Sequence, residues 1–190
     1  MNPGSRATLV LAALFALVGC GGPPPTRGVV LISLDTTRAD RLGCYGYEDA
    51  QTPNLDALAA ESVRFDQAQS PVPVTLPAHA SMFTGLYPPR HGIRYNGMFH
   101  LEESSVTVAE LLRDAGWTTA GVPAAFPLSE RTGIAQGFER YEDMFRDALT
   151  AGAAAGVRVD SERSADEVSR IGIEFLQHAG QERKLGQIWL

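Results

Sequence analysis

The stretch Gly28-Val-Val-Leu-Ile-Ser33-Leu34-Asp35 decides the fold. Gly28 to Leu34 is a short apolar run rich in β-branched residues, with Ser33 as its one polar side chain. Such a run reads as a strand buried on both faces, as in a parallel sheet. Asp35 then stands at the carboxyl end of that strand, where open α/β sheets bind their ligands.

Downstream, strand and helix patterns alternate. Thr52-Pro53 opens a helix, with threonine as N-cap, proline in the first turn, and Leu55, Leu58 and Ala59 as the apolar face. Val63 to Ala68 predicts the next strand. Pro77 to Thr84 predicts a short helix stopped by Gly85. Thr107-Val-Ala-Glu110 is a capping-box pattern. Its helix carries Leu111 and Leu112 and ends near Gly116, and Trp117 to Val122 reads as a strand. Ala151 to Gly156 reads as a loop or weak helix. Ser164-Ala-Asp-Glu167 is a second capping box, followed by Val168, Ile171, Phe175 and Leu176 at helical spacing up to about His178. This alternation predicts an α/β fold: a doubly wound, mainly parallel sheet flanked by helices.

Upstream, Met1 to Gly19 reads as a signal peptide. Arg6 supplies the positive start, and Ala7 to Val18 is apolar apart from Thr8 and short for a bilayer span. Leu17-Val-Gly-Cys20 resembles the bacterial lipobox, which implies cleavage before Cys20 and lipidation of its thiol. Gly21, Gly22 and Pro23-Pro24-Pro25 then suit a tether over 20–27. The expected location is the bacterial cell envelope, at the outer membrane or periplasmic face, held to the membrane through the lipid. Cys44 is left as a lone thiol, read as a small buried hydrophobe.

Composition bounds the function. With 44% hydrophobic and 20% charged residues the chain is composed as a globular protein. A net charge of −6 argues against a nucleic-acid partner, which would normally meet a basic face. It also means that attraction of an anionic substrate must come from a bound metal or a local basic cluster.

Three segments carry the chemistry. They are Leu31-Ile-Ser-Leu-Asp35-Thr36-Thr-Arg38-Ala-Asp40-Arg-Leu-Gly43-Cys-Tyr45-Gly46, Thr52-Pro-Asn-Leu-Asp56, and Val74-Thr75-Leu-Pro77-Ala-His79-Ala-Ser-Met-Phe-Thr84-Gly85-Leu-Tyr-Pro-Pro-Arg90-His91-Gly92. Their order and spacing resemble the start of the sulfatase catalytic domain, in the alkaline phosphatase superfamily, over roughly Val29 to Asp143. The resemblance implies that residues 28–190 are part of such a domain, acting on a sulfuric or phosphoric ester with a divalent metal. It places Asp35, Thr36 and Thr75 at the metal, with Thr36 where relatives often have a second aspartate.

Aligned on Pro77, the family motif Cys-x-Pro-x-Arg puts Thr75 at the nucleophile position and His79 at the arginine. Sulfatases convert the cysteine, or a serine, to formylglycine. Threonine carries an extra methyl and cannot follow that chemistry, so no formylglycine is expected. Threonine nucleophiles belong to the phosphodiesterase-like relatives and go with Zn²⁺ or Mn²⁺, whereas Ca²⁺ goes with formylglycine enzymes.

The residues support the role physically. A hydroxyl needs activation near neutral pH. At a helix start, free backbone N–H groups and the helix dipole favour an anion. Thr75 reads either as nucleophile and metal ligand or as a plain N-cap. His79, one helical turn on, either stabilises an alkoxide, binds a substrate oxygen, or is structural. Arg38 pairs with Asp35 or Asp40, and Arg90-His91-Gly92 reads as caps and turn contacts. Typical sulfatases carry Gly-Lys-x-His after the segment matched by Ala115 to Ala120. Here Gly121-Val-Pro-Ala-Ala-Phe126 follows, which favours a phosphoester.

The remaining metal ligands of the family lie on a later strand and loop. Lys184 to Leu190 does not read as that strand, so the fold is expected to be incomplete at its carboxyl end. The alternative is a truncated, non-catalytic, lipid-anchored fragment or binding protein of the same fold.

Overall fold

The computed structural model describes residues 27–143, 162–179 and 184–189. The signal peptide, Cys20, the tether up to Thr26 and the stretch Ala151 to Gly156 lie outside the described residues. Strands β1 (Arg27–Ile32), β2 (Thr118–Val122), β3 (Arg140–Tyr141) and β4 (Lys184–Trp189) form one sheet in the order β1-β4-β2-β3. Every pairing is parallel. The described helices are α1 (Pro53–Ala60), α2 (Thr75–Thr84), α3 (Pro88–His91), α4 (Val108–Asp114) and α5 (Ala165–Ala179). The α/β fold with a parallel sheet is as expected.

Three expectations are corrected. The tail is a strand after all: β4 pairs Arg27↔Lys184 through Ile32↔Trp189 on one side and Thr118↔Leu185 through Val122↔Trp189 on the other. The backbone decides this, because β4 satisfies ladder groups on two neighbours at once and needs no continuous apolar run. Second, β1 is not buried on both faces. Among the described residues it is an edge, with Ile32 64% and Val29 48% exposed, and Leu31 is the side chain that packs against the core. Third, Val63 to Ala68 is no strand; Val63 is 80% exposed, and Arg64 instead pairs with Asp66 and donates to the Cys44 carbonyl.

The helix starts are resolved one by one. Thr107 and Glu110 make both halves of the capping box, and the Glu167 amide donates to Ser164 Oγ at 3.3 Å. Thr52 stands at the start of α1 but does not cap it. Its hydroxyl accepts from the Gly43 amide at 3.1 Å and turns to the Asp56 carboxylate. Alternate residues of β2 face two cores. Ala120 and Val122 meet Ile171 and Phe175 of α5. Gly121 faces the other way, where an added Cβ would lie 2.6 Å from Tyr141, so only glycine admits that ring. The larger core gathers Leu76, Ala80 and Phe83 of α2 with Ile93, Leu101, Ala109, Leu128 and Ile134. This packing seats α2 against the sheet, with its first turn beside the end of β1.

Candidate active site

The loop after β1 sets the acid. The Thr36 backbone has φ +56, a left-handed conformation unusual for a β-branched residue and costing about 1–3 kcal/mol. That turn lets the Thr36 amide donate to Asp35 Oδ1 at 2.9 Å. One carboxylate oxygen is thereby held by its own loop. The other, Oδ2, accepts from Thr75 Oγ1 at 2.9 Å, across forty residues of sequence.

Thr75 is the first residue of α2, and the N-cap is Val74, in extended backbone. The Thr75 hydroxyl therefore goes to Asp35 rather than capping its helix. The Leu76 amide is met instead by Asn96, whose Oδ1 accepts at 2.9 Å from a loop twenty residues away. Asn96 gives no signal in the sequence, because a cap delivered from another segment has no fixed spacing.

His79 is 3% exposed, and both its ring nitrogens are engaged. Nδ1 faces the Thr75 carbonyl at 2.8 Å, so it carries the hydrogen and donates. In the neutral ring Nε2 then accepts from Ser33 Oγ, at 3.0 Å. The imidazole ties the first turn of α2 to the end of β1, through the backbone of Thr75 rather than its hydroxyl. Arg38 chelates Asp40 at 2.9 and 2.7 Å, which settles its pairing away from Asp35.

A cavity of about 370 Å³ opens beside this constellation. Asp35, Thr37, His79, Ala124, Ala125 and Arg163 are among its lining residues. Arg163 is buried, and its Nη1 donates to the Glu142 carbonyl at 2.7 Å. Burial pushes the guanidinium below its usual range, with Glu167 acting in the opposite sense. It stays protonated at neutral pH and puts a positive charge in the wall that the sequence patterns did not single out.

The donor set at Asp35 and Thr75 is all oxygen, which suits a hard divalent cation. Two convergent oxygens make one side of a coordination sphere, and among the described residues no group of three or more His, Cys, Asp or Glu could hold a metal. Thr36 enters through its backbone amide.

His91 is also buried, and desolvation pushes its pKa below the ordinary value of 6.5, with Arg94 acting the same way. The unfolded chain therefore binds this proton more readily than the folded one. The contribution is fully present above about pH 6.5 and is lost as the pH falls toward the folded value. Urea midpoints measured from about pH 8 down to about pH 5 should drop more steeply in the wild type than in His91→Gln. Parallel curves would contradict it.

A family model described as Sulfatase matches residues 27–155. Steryl-sulfatase of Mus musculus is 37% identical over 124 residues, covering 60% of this chain and 20% of that protein. Arylsulfatase A of Homo sapiens is 39% identical over 117 residues, covering 58% of this chain and 22% of that protein. The chain thus spans about a fifth of the length of these relatives. Among solved structures, the phosphonate monoester hydrolase of Agrobacterium radiobacter superposes with a TM-score of 0.63 at 22% identity. That match covers 87% of this chain and 40% of that one, and shows a shared fold.

Proposed function

The chain belongs to the sulfatase family, and from that premise we propose that it contributes the nucleophile and one side of the metal site of a hydrolase acting on sulfuric or phosphoric esters. The observation that carries this is the 2.9 Å contact between Thr75 Oγ1 and Asp35 Oδ2 at the start of α2. Thr75 is the nucleophile in this proposal, used as plain threonine without formylglycine. Asp35 and Thr75 would hold a divalent cation, calcium or else zinc or manganese, with Thr36 beside them. Such a cation supplies Lewis-acid stabilisation of a hydroxyl oxygen and of a charged ester.

The remaining roles belong to the chain itself. Asp35 Oδ2 accepts the Thr75 hydroxyl hydrogen and orients the oxygen outward from the helix start. His79 fixes that turn by its bond to the Thr75 carbonyl, and Ser33 fixes His79. The helix start adds the positive end of the α2 dipole. With Asn96 Oδ1 on the Leu76 amide, its Nδ2 is left to donate to an ester oxygen. The wall segment after β2 carries Ala124 and Ala125 rather than a Lys-x-His pair, which favours a phosphoester over a sulfate.

The test is turnover by the full chain of an aryl phosphodiester and an aryl sulfate, each with Ca²⁺, Zn²⁺ or Mn²⁺ and with chelator. Metal-dependent cleavage of either ester supports the proposal, and the preferred ester selects the substrate class. No turnover with any metal would overturn it for this chain and leave the fold as a non-catalytic, lipid-anchored module.

The address is proposed on the same footing. Lipidation at Cys20 would anchor the chain in a bacterial envelope, and among the described residues no helix is long and apolar enough to cross a membrane. Labelling of cells with an alkyne fatty acid should mark the wild-type chain, and Cys20→Ala should lose the label and leave the membrane fraction. Equal labelling of both would refute the anchor.

A further inference from the structure

The end of α3 and the loop that follows it grip α2 at two points. Near its start, His91 Nε2 lies 2.9 Å from Ser81 Oγ. Near its end, Asn96 Oδ1 accepts from the Leu76 amide. The direction of the hydrogen bonds at the first point is fixed by their neighbours. The Ile93 amide donates to His91 Nδ1 at 3.1 Å, so that nitrogen is an acceptor. The neutral imidazole then carries its hydrogen on Nε2 and donates to Ser81. Ser81 Oγ passes its own hydrogen to the Pro77 carbonyl at 2.9 Å. Every group in the relay has one partner on each side, and the ring is 3% exposed. His79 has the opposite tautomer, with its hydrogen on Nδ1. The two imidazoles therefore have distinct and fixed polarities: His79 belongs to α2 and reaches out to Ser33 after β1, whereas His91 meets α2 from the end of α3.

The His91 grip and Asn96 belong to one six-residue stretch, His91–Asn96, anchored between them by the buried Ile93. We propose that His91 is a positioning residue, which through Ser81 and Pro77 holds the loop bearing Asn96 against the first turn of α2 and so sets the aim of Thr75. The proposal rests on Thr75 being the nucleophile. A ring that merely filled space would be replaced by phenylalanine at little cost. A ring that relays hydrogen bonds would not, whereas glutamine keeps a donor and an acceptor.

The test uses the full chain and two readouts. Hydrogen exchange at the Leu76 amide reports the Asn96 bond without substrate or cation. It should speed up about tenfold in His91→Phe, the scale of one lost hydrogen bond, and return toward wild type in His91→Gln. Amides of β2 should not change. In turnover, kcat should fall about tenfold in His91→Phe with KM nearly constant, since the substrate contacts are retained. Unchanged Leu76 exchange in His91→Phe would overturn the proposal. If that variant does not fold, Ser81→Ala cuts the same relay, and faster or unchanged Leu76 exchange there decides it in the same way. A wild-type chain with no turnover would overturn the hydrolase proposal alone, because the exchange readout needs neither ester nor metal.

Discussion

Thr75→Ala should abolish metal-dependent ester cleavage, lowering kcat by at least about a thousandfold. The substitution removes the hydroxyl that donates to Asp35 Oδ2 at 2.9 Å and leaves the carboxylate with its Thr36 amide contact. It should leave the fold intact. Thr75 is half-buried and first in its helix, its carbonyl still accepts from His79, and alanine is well tolerated there. Thr75→Ser separates nucleophile from shape. Serine keeps the hydroxyl but loses the methyl that restricts the rotamer, so it should fall by no more than about tenfold. Rates are measured under saturating ester and cation, with urea midpoints on the same preparations. Wild-type turnover by Thr75→Ala would sink the nucleophile assignment.

The second large effect is on stability. Gly137→Ala should destabilise the fold by about 2–5 kcal/mol. Gly137 has φ +87, where a side chain is strained, and an added Cβ would lie 2.2 Å from the Glu110 amide nitrogen and 2.6 Å from the Ala109 carbonyl carbon. Both are backbone atoms of α4, so no side chain can swing aside. The loop cannot retreat freely either. Thr107 Oγ1 donates to the Gln136 carbonyl and Thr119 Oγ1 to the Gly137 carbonyl. The capping box of α4 and the start of β2 are thus tied to the Gln136-Gly137 turn. A denaturation midpoint equal to wild type would refute the clash.

Much of this was legible in the sequence, for local reasons. The capping box at Thr107 and the cap at Ser164 work over three residues, so a four-residue pattern carries them. Asp35 and Thr75 come together because a strand end and a helix start are both marked by short-range chemistry. What was not legible is non-local. Lys184 to Trp189 mixes lysine, glycine and glutamine with its apolar residues, and becomes a strand because β1 and β2 each offer an unpaired flank. Val63-Arg-Phe65 alternates like a strand, but no sheet flank meets it. β1 looks like an interior strand, yet its outer side is an edge among the described residues. Asn96 and Ser33 carry no spacing rule, because each acts on a helix remote in sequence. Thr52 shows the reverse failure: the right residue for a cap, drawn away by Gly43 and Asp56.

The place of β4 between β1 and β2 has a kinetic consequence. The last described strand in the sequence is the wedge that joins the two halves of the sheet, with Arg27 waiting for Lys184. During synthesis the β1 segment leaves the ribosome before β4, and among the described strands it has no ladder partner until Lys184 to Trp189 has followed. Loop closure over that separation comes late in folding, and pairing of this kind is slow. The acid at the end of β1 is therefore made long before its scaffold closes, and the apolar run before it stays exposed in the meantime. A chain built this way has its greatest aggregation hazard during synthesis rather than in the finished fold.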